Sequence, residues 1–401
     1  MLLDHPTAGP TAIRTQLSAI FVSLELSRSK WVVTSLSPGY GEKMSRRNVP
    51  ACALGELLAL FADLRRKAKE RTGVDYPIIT IQEAGLDGFW LHRALQQEAI
   101  ESHVVDAASI ATPRRRRRVK TDKIDGEGLL RVLLAYKRGE PRVCAMVVAP
   151  SPEEEDRRRL SRERQTLLNE RVVHTNRIKG LLFAQGITGY APLRRDRRKR
   201  LEGLRTGDGR PLPANLKAQI GRELDRLDLL LDQIKAVEAA LAAMLAAECK
   251  QARKADKAEE NQAELAAQPP HAVATLLAVK GISTHSAAIL WTEGLSREFV
   301  NRRQVAAYAG LAATPWQSGT IDHEQGLSKA GNPRLRTLMV QIAWLWLRHQ
   351  PQSALTKWFK ARGERGRKVS IVALARKLLV ALWKYVKHGV VIEGAVMKRT
   401  A

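Results

Sequence analysis

Ile20-Phe-Val-Ser-Leu-Glu25 alternates apolar and polar side chains, and Trp31-Val-Val-Thr-Ser-Leu36 follows it after the turn Ser27-Arg-Ser-Lys30. Alternation of period two places one row of side chains on a buried face, so the two runs predict a β-hairpin. Pro77-Ile-Ile-Thr-Ile-Gln82 is a short apolar run introduced by proline, the pattern of a buried strand, and His103-Val-Val-Asp106 reads as another. Between these runs the period changes to that of a helix. Pro50 to Arg71 carries Leu54, Leu57, Leu58, Phe61 and Leu64 at helical spacing, and Leu86 to Gln97 and Asp122 to Tyr136 read the same way. Strands interleaved with helices behind an opening hairpin predict an α/β layer fold over residues 16–150.

Beyond residue 150 the pattern is helical. Basic residues outnumber acidic ones two to one between Glu153 and Arg200, with no strand-like alternation. Leu227, Leu231, Ile234, Leu241 and Leu245 fall close to a heptad seam that Glu238 interrupts. Residues 151–270 therefore predict a long antiparallel helical pair of coiled-coil type. The stretch Gly186 to Pro213, rich in glycine, proline and arginine, reads as a mobile crossing between its helices. Residues 271–355 predict a mainly α-helical domain. Its Leu276-Leu-Ala-Val-Lys-Gly-Ile-Ser-Thr284 resembles a helix-hairpin-helix turn, whose backbone amides can grip a phosphate. Residues 356–401 form a basic helical tail, with Ile371, Leu374, Leu378 and Leu382 on its apolar side. Trp344, Trp346 and Trp358 read as helix-packing residues, because Leu338, Ile342, Leu345 and Leu355 continue the same apolar pattern.

The 401 residues hold 67 Lys+Arg against 41 Asp+Glu, a net charge of +26 that calls for a polyanionic partner. At 44% hydrophobic residues the chain can bury real cores, so disorder throughout is excluded. No apolar run is long enough to span a bilayer and no leader pattern opens the chain, which predicts a soluble, cytoplasmic protein without a membrane partner. Cys52, Cys144 and Cys249 are widely separated, which excludes a disulfide framework or a cysteine zinc site. With only 5% aromatic residues, phosphate contact is a better expectation than an extensive base-stacking surface.

Four acids stand apart from ordinary surface charge. Glu25 and Glu83 end predicted strands, and Asp122 and Asp125 begin a helix three residues apart. In a layered fold such positions can converge, and converging carboxylates repel one another unless a cation joins them. An oxygen-only donor set selects a hard divalent ion, foremost Mg²⁺, which serves phosphodiester chemistry. Taken singly, each acid is also explained as a solvated charge, and Asp122 after Thr121 as a helix cap. Arg114, Arg115, Arg116, Arg117 and Arg118, followed by Lys120 and Lys123, set a cationic run beside the acidic pair. Such a run cannot pack in a core; it is either a solvated loop or a phosphate-binding one.

These residues resemble a family. Leu24-Glu25-Leu-Ser-x-x-Lys30, Gln82-Glu83-Ala-Gly85 and Lys120-Thr-Asp-Lys-Ile-Asp125 look like the DEDD-type insertion-sequence transposases. That resemblance continues through Ala306-Ala-Tyr-Ala-Gly-Leu311, Pro315-x-x-Ser318-Gly319, Gly326-Leu-Ser-Lys-Ala-Gly-Asn332 and Arg334-Leu-Arg336. It covers nearly the whole chain, from Ile20 to Leu355, and implies a RuvC/RNase H-like N-terminal domain and a separate C-terminal transposase domain. The family's first acid is normally Asp; Glu25 stands there instead, and its extra methylene moves the carboxylate by roughly 1.5 Å.

The resemblance further implies that Ser318 attacks a DNA phosphate and holds it covalently, that Glu25, Glu83, Asp122 and Asp125 bind the metal, and that an element-encoded structured RNA guides the reaction. It implies a homodimer or homotetramer acting on donor and target DNA at the nucleoid. Without it, Ser318 is a turn residue. Ser328 is a rival nucleophile that reads more simply as an anion-binding turn or cap, and His323 is a possible base. Lys329, Arg334 and Arg336 are expected to clamp phosphate. Two other readings stand beside the transposase: a RuvC-like nuclease cutting junctions with metal-activated water, and a non-catalytic nucleic-acid-binding protein. The nuclease needs the carboxylates but not Ser318, and the binding protein needs neither.

Overall fold

The computed structural model describes residues 17–39, 43–85, 88–110, 122–259, 269–318, 321–362 and 366–398. The backbone divides into two compact units, the first ending at Ser151 and the second beginning at Pro152.

The first unit is a five-stranded mixed sheet clothed by helices. Its elements are β1 (Ile20–Glu25), β2 (Lys30–Leu36), β3 (Ser45–Pro50), α1 (Leu54–Thr72), β4 (Ile78–Glu83), α2 (Trp90–Gln97), β5 (Glu101–Val105) and α3 (Asp122–Lys137). The strand order is β3-β2-β1-β4-β5. β1, β2 and β3 pair antiparallel, as a hairpin and its extension must, while β4 runs parallel to both β1 and β5. The period-two alternation of β1 now has two destinations. Ile20, Val22 and Leu24 pack with Leu57 and Phe61 of α1 and with Leu91 and Leu95 of α2. Phe21 joins Ile79 and Ile81 of β4 under Leu129, Leu130 and Leu133 of α3. The expected strands and helices are therefore present, with β3 added as an edge strand.

The second unit starts with α4 (Pro152–Phe183), which has proline at its first position and three glutamates in its first turn, both favourable to a helix N-terminus. It packs against α6 (Ala214–Glu259). The Arg164–Glu238 ion pair and the hydrogen bond between His174 and Glu223 fix the two helices as antiparallel. The buried line of α6 runs through Leu227, Leu230, Ile234, Val237, Leu241 and Leu245. The seam thus uses Leu230 and Val237 where the heptad reading takes Leu231 and Glu238, and Glu238 turns outward to Arg164.

The crossing expected to be mobile is folded. Tyr190, Leu201 and Leu212 are buried against Ile178, Leu182, Ile220 and Leu224, and α5 (Arg197–Glu202) sits within it. Arg197 pairs with Asp228, while Arg198 pairs with Asp225 at 2.7 Å and with Asp228 at 2.5 Å.

The remaining elements build one core: α7 (Pro269–Ala278), α8 (Thr284–Leu290), a π-helical turn (Trp291–Leu295), α9 (Arg302–Tyr308), α10 (Pro333–His349), α11 (Ala354–Lys360) and α12 (Arg367–His388). α10 supplies Leu335, Leu338, Met339, Ile342, Ala343 and Trp346, and α12 supplies Ile371, Leu374, Leu378 and Leu382. Trp346 is buried and donates its indole N–H to Ser353 Oγ at 2.8 Å. Trp344 and Leu345, expected inside, are exposed.

The helix-hairpin-helix-like turn is present between α7 and α8, but its polar backbone is already engaged. The Lys280 amide donates to Val396 O, the Ile282 amide to Val279 O, and Gln350 Nε2 reaches Lys280 O at 2.7 Å. Ser283 caps α8 by accepting from the Ser286 amide. The turn is thus a packing joint rather than an open phosphate grip.

A hairpin of β6 (Ala313–Ser318) and β7 (Ile321–Leu327) interrupts the helices, where a loop was expected. Among the described residues, no helix is long and apolar enough to cross a membrane.

Candidate functional site

The carboxylates of the first unit are placed by strand register. Leu24 lies opposite Gln82 in the parallel β1–β4 pair, which carries Glu25 and Glu83 to the same level one residue on. Neighbouring strands lie about 4.8 Å apart, so the two acids end adjacent strands side by side. Both follow residues of the α3-facing row, namely Phe21 and Ser23 on β1 and Ile79 and Ile81 on β4. α3 is clamped to that face at Gly126, whose carbonyl accepts from Ser23 Oγ at 2.7 Å. A Cβ at Gly126 would lie 2.5 Å from Thr34 Oγ1, so only glycine lets α3 approach this closely.

Asp125, the preceding residue, is held against the same face of the sheet. Its Oδ2 is buried with no hydrogen-bond partner among the described residues, and Thr34 Oγ1 beside Gly126 is in the same condition. Burying an unpartnered carboxylate oxygen is costly, and a cation offsets that cost. Glu25 is half-buried and Glu83 exposed. Asp122 and Lys123 open α3, but their side chains lie outside the described residues, as do Arg114, Arg115, Arg116, Arg117, Arg118 and Lys120 in full. Among the described residues no three His, Cys, Asp or Glu side chains are placed to hold a metal together. Glu25, Glu83 and Asp125 therefore share a face and a sheet end without forming a closed cluster. For Mg²⁺ the fit rests on the oxygen-only donor set and on the unpartnered Asp125 Oδ2.

In the second unit Ser318 is the last residue of β6, opposite Ile321 at the hairpin tip, and His323 lies opposite Trp316 further down β7. The side chains of Ser318 and His323 are outside the described residues, as is Gly319. The base of the hairpin is tightly built. The Ser328 amide donates to Ala312 O, and the Asn332 amide donates to Tyr308 O at 2.7 Å. Asn332 Oδ1 caps α10 by accepting from the Arg334 and Leu335 amides. Gly331 has φ +117°, and a Cβ there would lie 2.4 Å from Tyr308 O. Lys329 is exposed in a left-handed conformation, and Arg336 donates to its carbonyl at 2.8 Å. Arg334 is exposed, 3.9 Å from Glu293 Oε1. Ser328 is also exposed.

Glu293, which sequence reasoning assigned no role, anchors this platform. It is buried in the π-helical turn, receives Arg162 Nε at 2.9 Å from α4, and accepts from Asn332 Nδ2 at 3.0 Å. Burial pushes its carboxyl up, but the Arg162 hydrogen bond and charge, with the Asn332 amide and the Arg158 charge, hold it below the usual range. A charged residue within the apolar run Leu290-Trp-Thr-Glu-Gly-Leu295 was the available signal.

Fold and site together define a strongly basic two-unit protein, one unit a mixed sheet ending in carboxylates and the other a helical body carrying a short hairpin. Residues 273–357, from α7 into α11 and so including that hairpin, match the family described as Transposase IS116/IS110/IS902. The chain is 69% identical to the putative transposase y4rJ of Sinorhizobium fredii, over 98% of both chains. It is 25% identical to the putative transposase y4qE of the same organism, over 90% of this chain and 87% of that one. To the transposase of insertion sequence IS1328 from Yersinia enterocolitica it is 28% identical, over 63% of this chain and 71% of the relative. The chain belongs to the IS110/IS116 family of transposases.

Proposed function

We propose that this protein transposes DNA by cutting and rejoining strands, using Ser318 as nucleophile and Mg²⁺ held by Glu25, Glu83, Asp122 and Asp125. The observation that carries the proposal is the unpartnered, buried Asp125 Oδ2 on the sheet face where Glu25 and Glu83 end adjacent strands. The order β3-β2-β1-β4-β5, antiparallel through β1 and parallel beyond it, supports a RuvC-like reading of the first unit. A bound magnesium ion supplies charge neutralisation on a phosphodiester and orientation of an attacking oxygen.

In the proposed reaction Ser318 Oγ bonds to phosphorus, its proton passes to a base, and the phosphorus–oxygen bond to one strand breaks. That strand leaves as a hydroxyl after taking up a proton. Attack by the hydroxyl of an incoming strand then releases Ser318 and rejoins the DNA. Asp125 is positioned for its part by Gly126, and the hairpin that ends in Ser318 is braced by Asn332, Gly331 and Arg336. Lys329, Arg334 and the run Arg114 to Arg118 would neutralise phosphates. An element-encoded guide RNA and a dimeric or tetrameric assembly complete the proposal, in a soluble protein acting at the nucleoid.

The test is to trap a protein–DNA adduct and map it. The expected product is a phosphoserine linkage at Ser318, lost in Ser318→Ala while nucleic-acid binding persists. Strand cleavage that survives in Ser318→Ala would favour the water-using nuclease instead. Asp125→Asn is expected to remove Mg²⁺-dependent activity; an unchanged Mg²⁺ response would exclude Asp125 as a ligand.

A further inference from the structure

Beside the hairpin base the second unit contains an open groove of about 1070 Å³, between α9, α11 and α12. Its cationic lining is Arg302, Arg303, Arg362, Arg376, Lys377 and Lys384, and among the described residues no acid lines it. All six are exposed, and none makes an ion pair among the described residues. Several other arginines of this unit are paired with acids: Arg162 with Glu293, Arg164 with Glu238, Arg197 with Asp228 and Arg177 with Glu223. The groove gathers six cations without an acidic partner on one surface.

Two of these cations are held in place. The Arg362 guanidinium and the Lys377 ammonium each lie 4.7 Å from the centroid of the Trp358 ring. Cation–π contact fixes their positions without cancelling their charge. The floor between the cations is apolar, formed by Leu311, Leu355, Val372, Ala373 and Ala381, and Val369 on the rim is 75% exposed. α12 therefore presents one face on which apolar and basic residues recur at helical spacing, while Ile371, Leu374, Leu378 and Leu382 fill the core from its other side.

A duplex offers phosphates and sugars to such a surface and keeps its bases stacked, which leaves an apolar floor uncovered. An unpaired strand puts phosphates on the cationic rim and base faces on the floor. Ala313, Gly326 and Leu327 of the hairpin base form one wall, so a strand in the groove lies beside the element that ends in Ser318. We propose that this groove holds a single-stranded DNA segment flanking the strand joined to Ser318. The choice of DNA as occupant rests on the functional reading above; the charge and shape of the groove do not.

The test uses the full chain and a labelled DNA oligonucleotide of roughly 12 nucleotides, a groove-scale single strand. Arg376→Gln/Lys377→Gln/Lys384→Gln is expected to lower affinity at least tenfold. Its plot of log affinity against log salt should be shallower by roughly 0.7 for each lost phosphate contact. An oligonucleotide carrying 5-iodouracil should photocrosslink in the unaltered protein to peptides of α11 and α12, a result independent of how the variant folds. Unchanged affinity and slope in the triple variant, crosslinks confined to other segments, or tighter groove binding of RNA of the same sequence would each overturn the proposal. Failure to trap an adduct at Ser318 while these results hold would overturn the serine mechanism and leave the groove standing as a single-strand site.

Discussion

Gly126 and His285 each carry a consequence at the scale of one residue. A Cβ at Gly126 meets Thr34 Oγ1 at 2.5 Å, and Thr34 is buried in β2. Gly126→Ala is expected to push α3 off the sheet and destabilise the protein by about 1–3 kcal/mol. The same shift moves Asp125, and active sites respond to displacements near 1 Å. Adding Thr34→Ala removes the obstructing oxygen and should restore most of the loss in urea unfolding; no rescue would mean that the contact is not the cause. His285 is governed by burial first and then by Arg164, whose guanidinium donates to its Nε2 at 3.0 Å; together they push its pKa down to about 4. An unfolded histidine titrates near 6.5. As pH falls from 6.5 toward 4 the unfolded chain takes up this proton more readily, so acidification through that window destabilises the second unit. His285→Gln keeps an acceptor for Arg164 but cannot titrate. Its stability is expected to be flatter than wild type between those pH values in chemical unfolding, and an equal slope would remove His285 from the account.

Helices, strands and turns differ in how plainly their residues announce them. β1, β2 and β4 are legible because each alternates or runs apolar into a buried sheet, and α12 because its apolar residues keep helical spacing across three turns. β3 is not, since Ser45-Arg-Arg-Asn-Val-Pro50 is an edge strand with most residues exposed and has no inward row to reveal it. The β6–β7 hairpin hides for another reason. Pro315 cannot donate to a ladder, and the strand accommodates it with a register shift between Ala313 and Pro315, which breaks the alternation. Carboxylate placement was legible from strand ends and helix starts; of the groove, the basic tail that carries Arg362, Arg376, Lys377 and Lys384 was legible, but its meeting with Arg302 and Arg303 of α9 was not, because they lie some distance away in sequence. Glu293 belongs to the same hidden class, joining α4, the π-helical turn and the cap of α10 through Arg162 and Asn332. Glu293→Gln exchanges a charge for an amide in that joint. Arg162 is half-exposed and can return to water, but buried Arg158 loses the nearby negative charge, so the expected cost is about 3–5 kcal/mol. Strand transfer should fall with it, although Glu293 is placed at a structural joint rather than among the proposed reacting groups. A variant as stable and active as wild type would deny the joint its role.

Over the whole molecule the excess of 26 positive charges is not one continuous field. The arginine-rich cap between α4 and α6 is basic in sequence, yet Arg197 and Arg198 are bound to Asp225 and Asp228, and Arg194 to Asp196. Arg197 and Arg198 therefore hold the helical pair together, and a phosphate would have to displace a carboxylate to reach them. Among the described residues the α9–α12 groove has no such competitor. Net charge alone would rank Arg197 and Arg198 with the groove cations; pairing separates them. Arg197→Gln/Arg198→Gln is expected to lower thermal stability while leaving nucleic-acid affinity and its salt dependence nearly unchanged. The groove substitutions should do the reverse. For the unaltered protein, six single-strand phosphate contacts imply a loss of roughly 300-fold in affinity between 50 and 200 mM salt. Measuring binding across that range for wild type and both variants tests the division of charge directly. Equal salt slopes in the cap and groove variants would mean that paired and unpaired arginines contribute alike, and the assignment of nucleic-acid contacts by pairing would have to be abandoned.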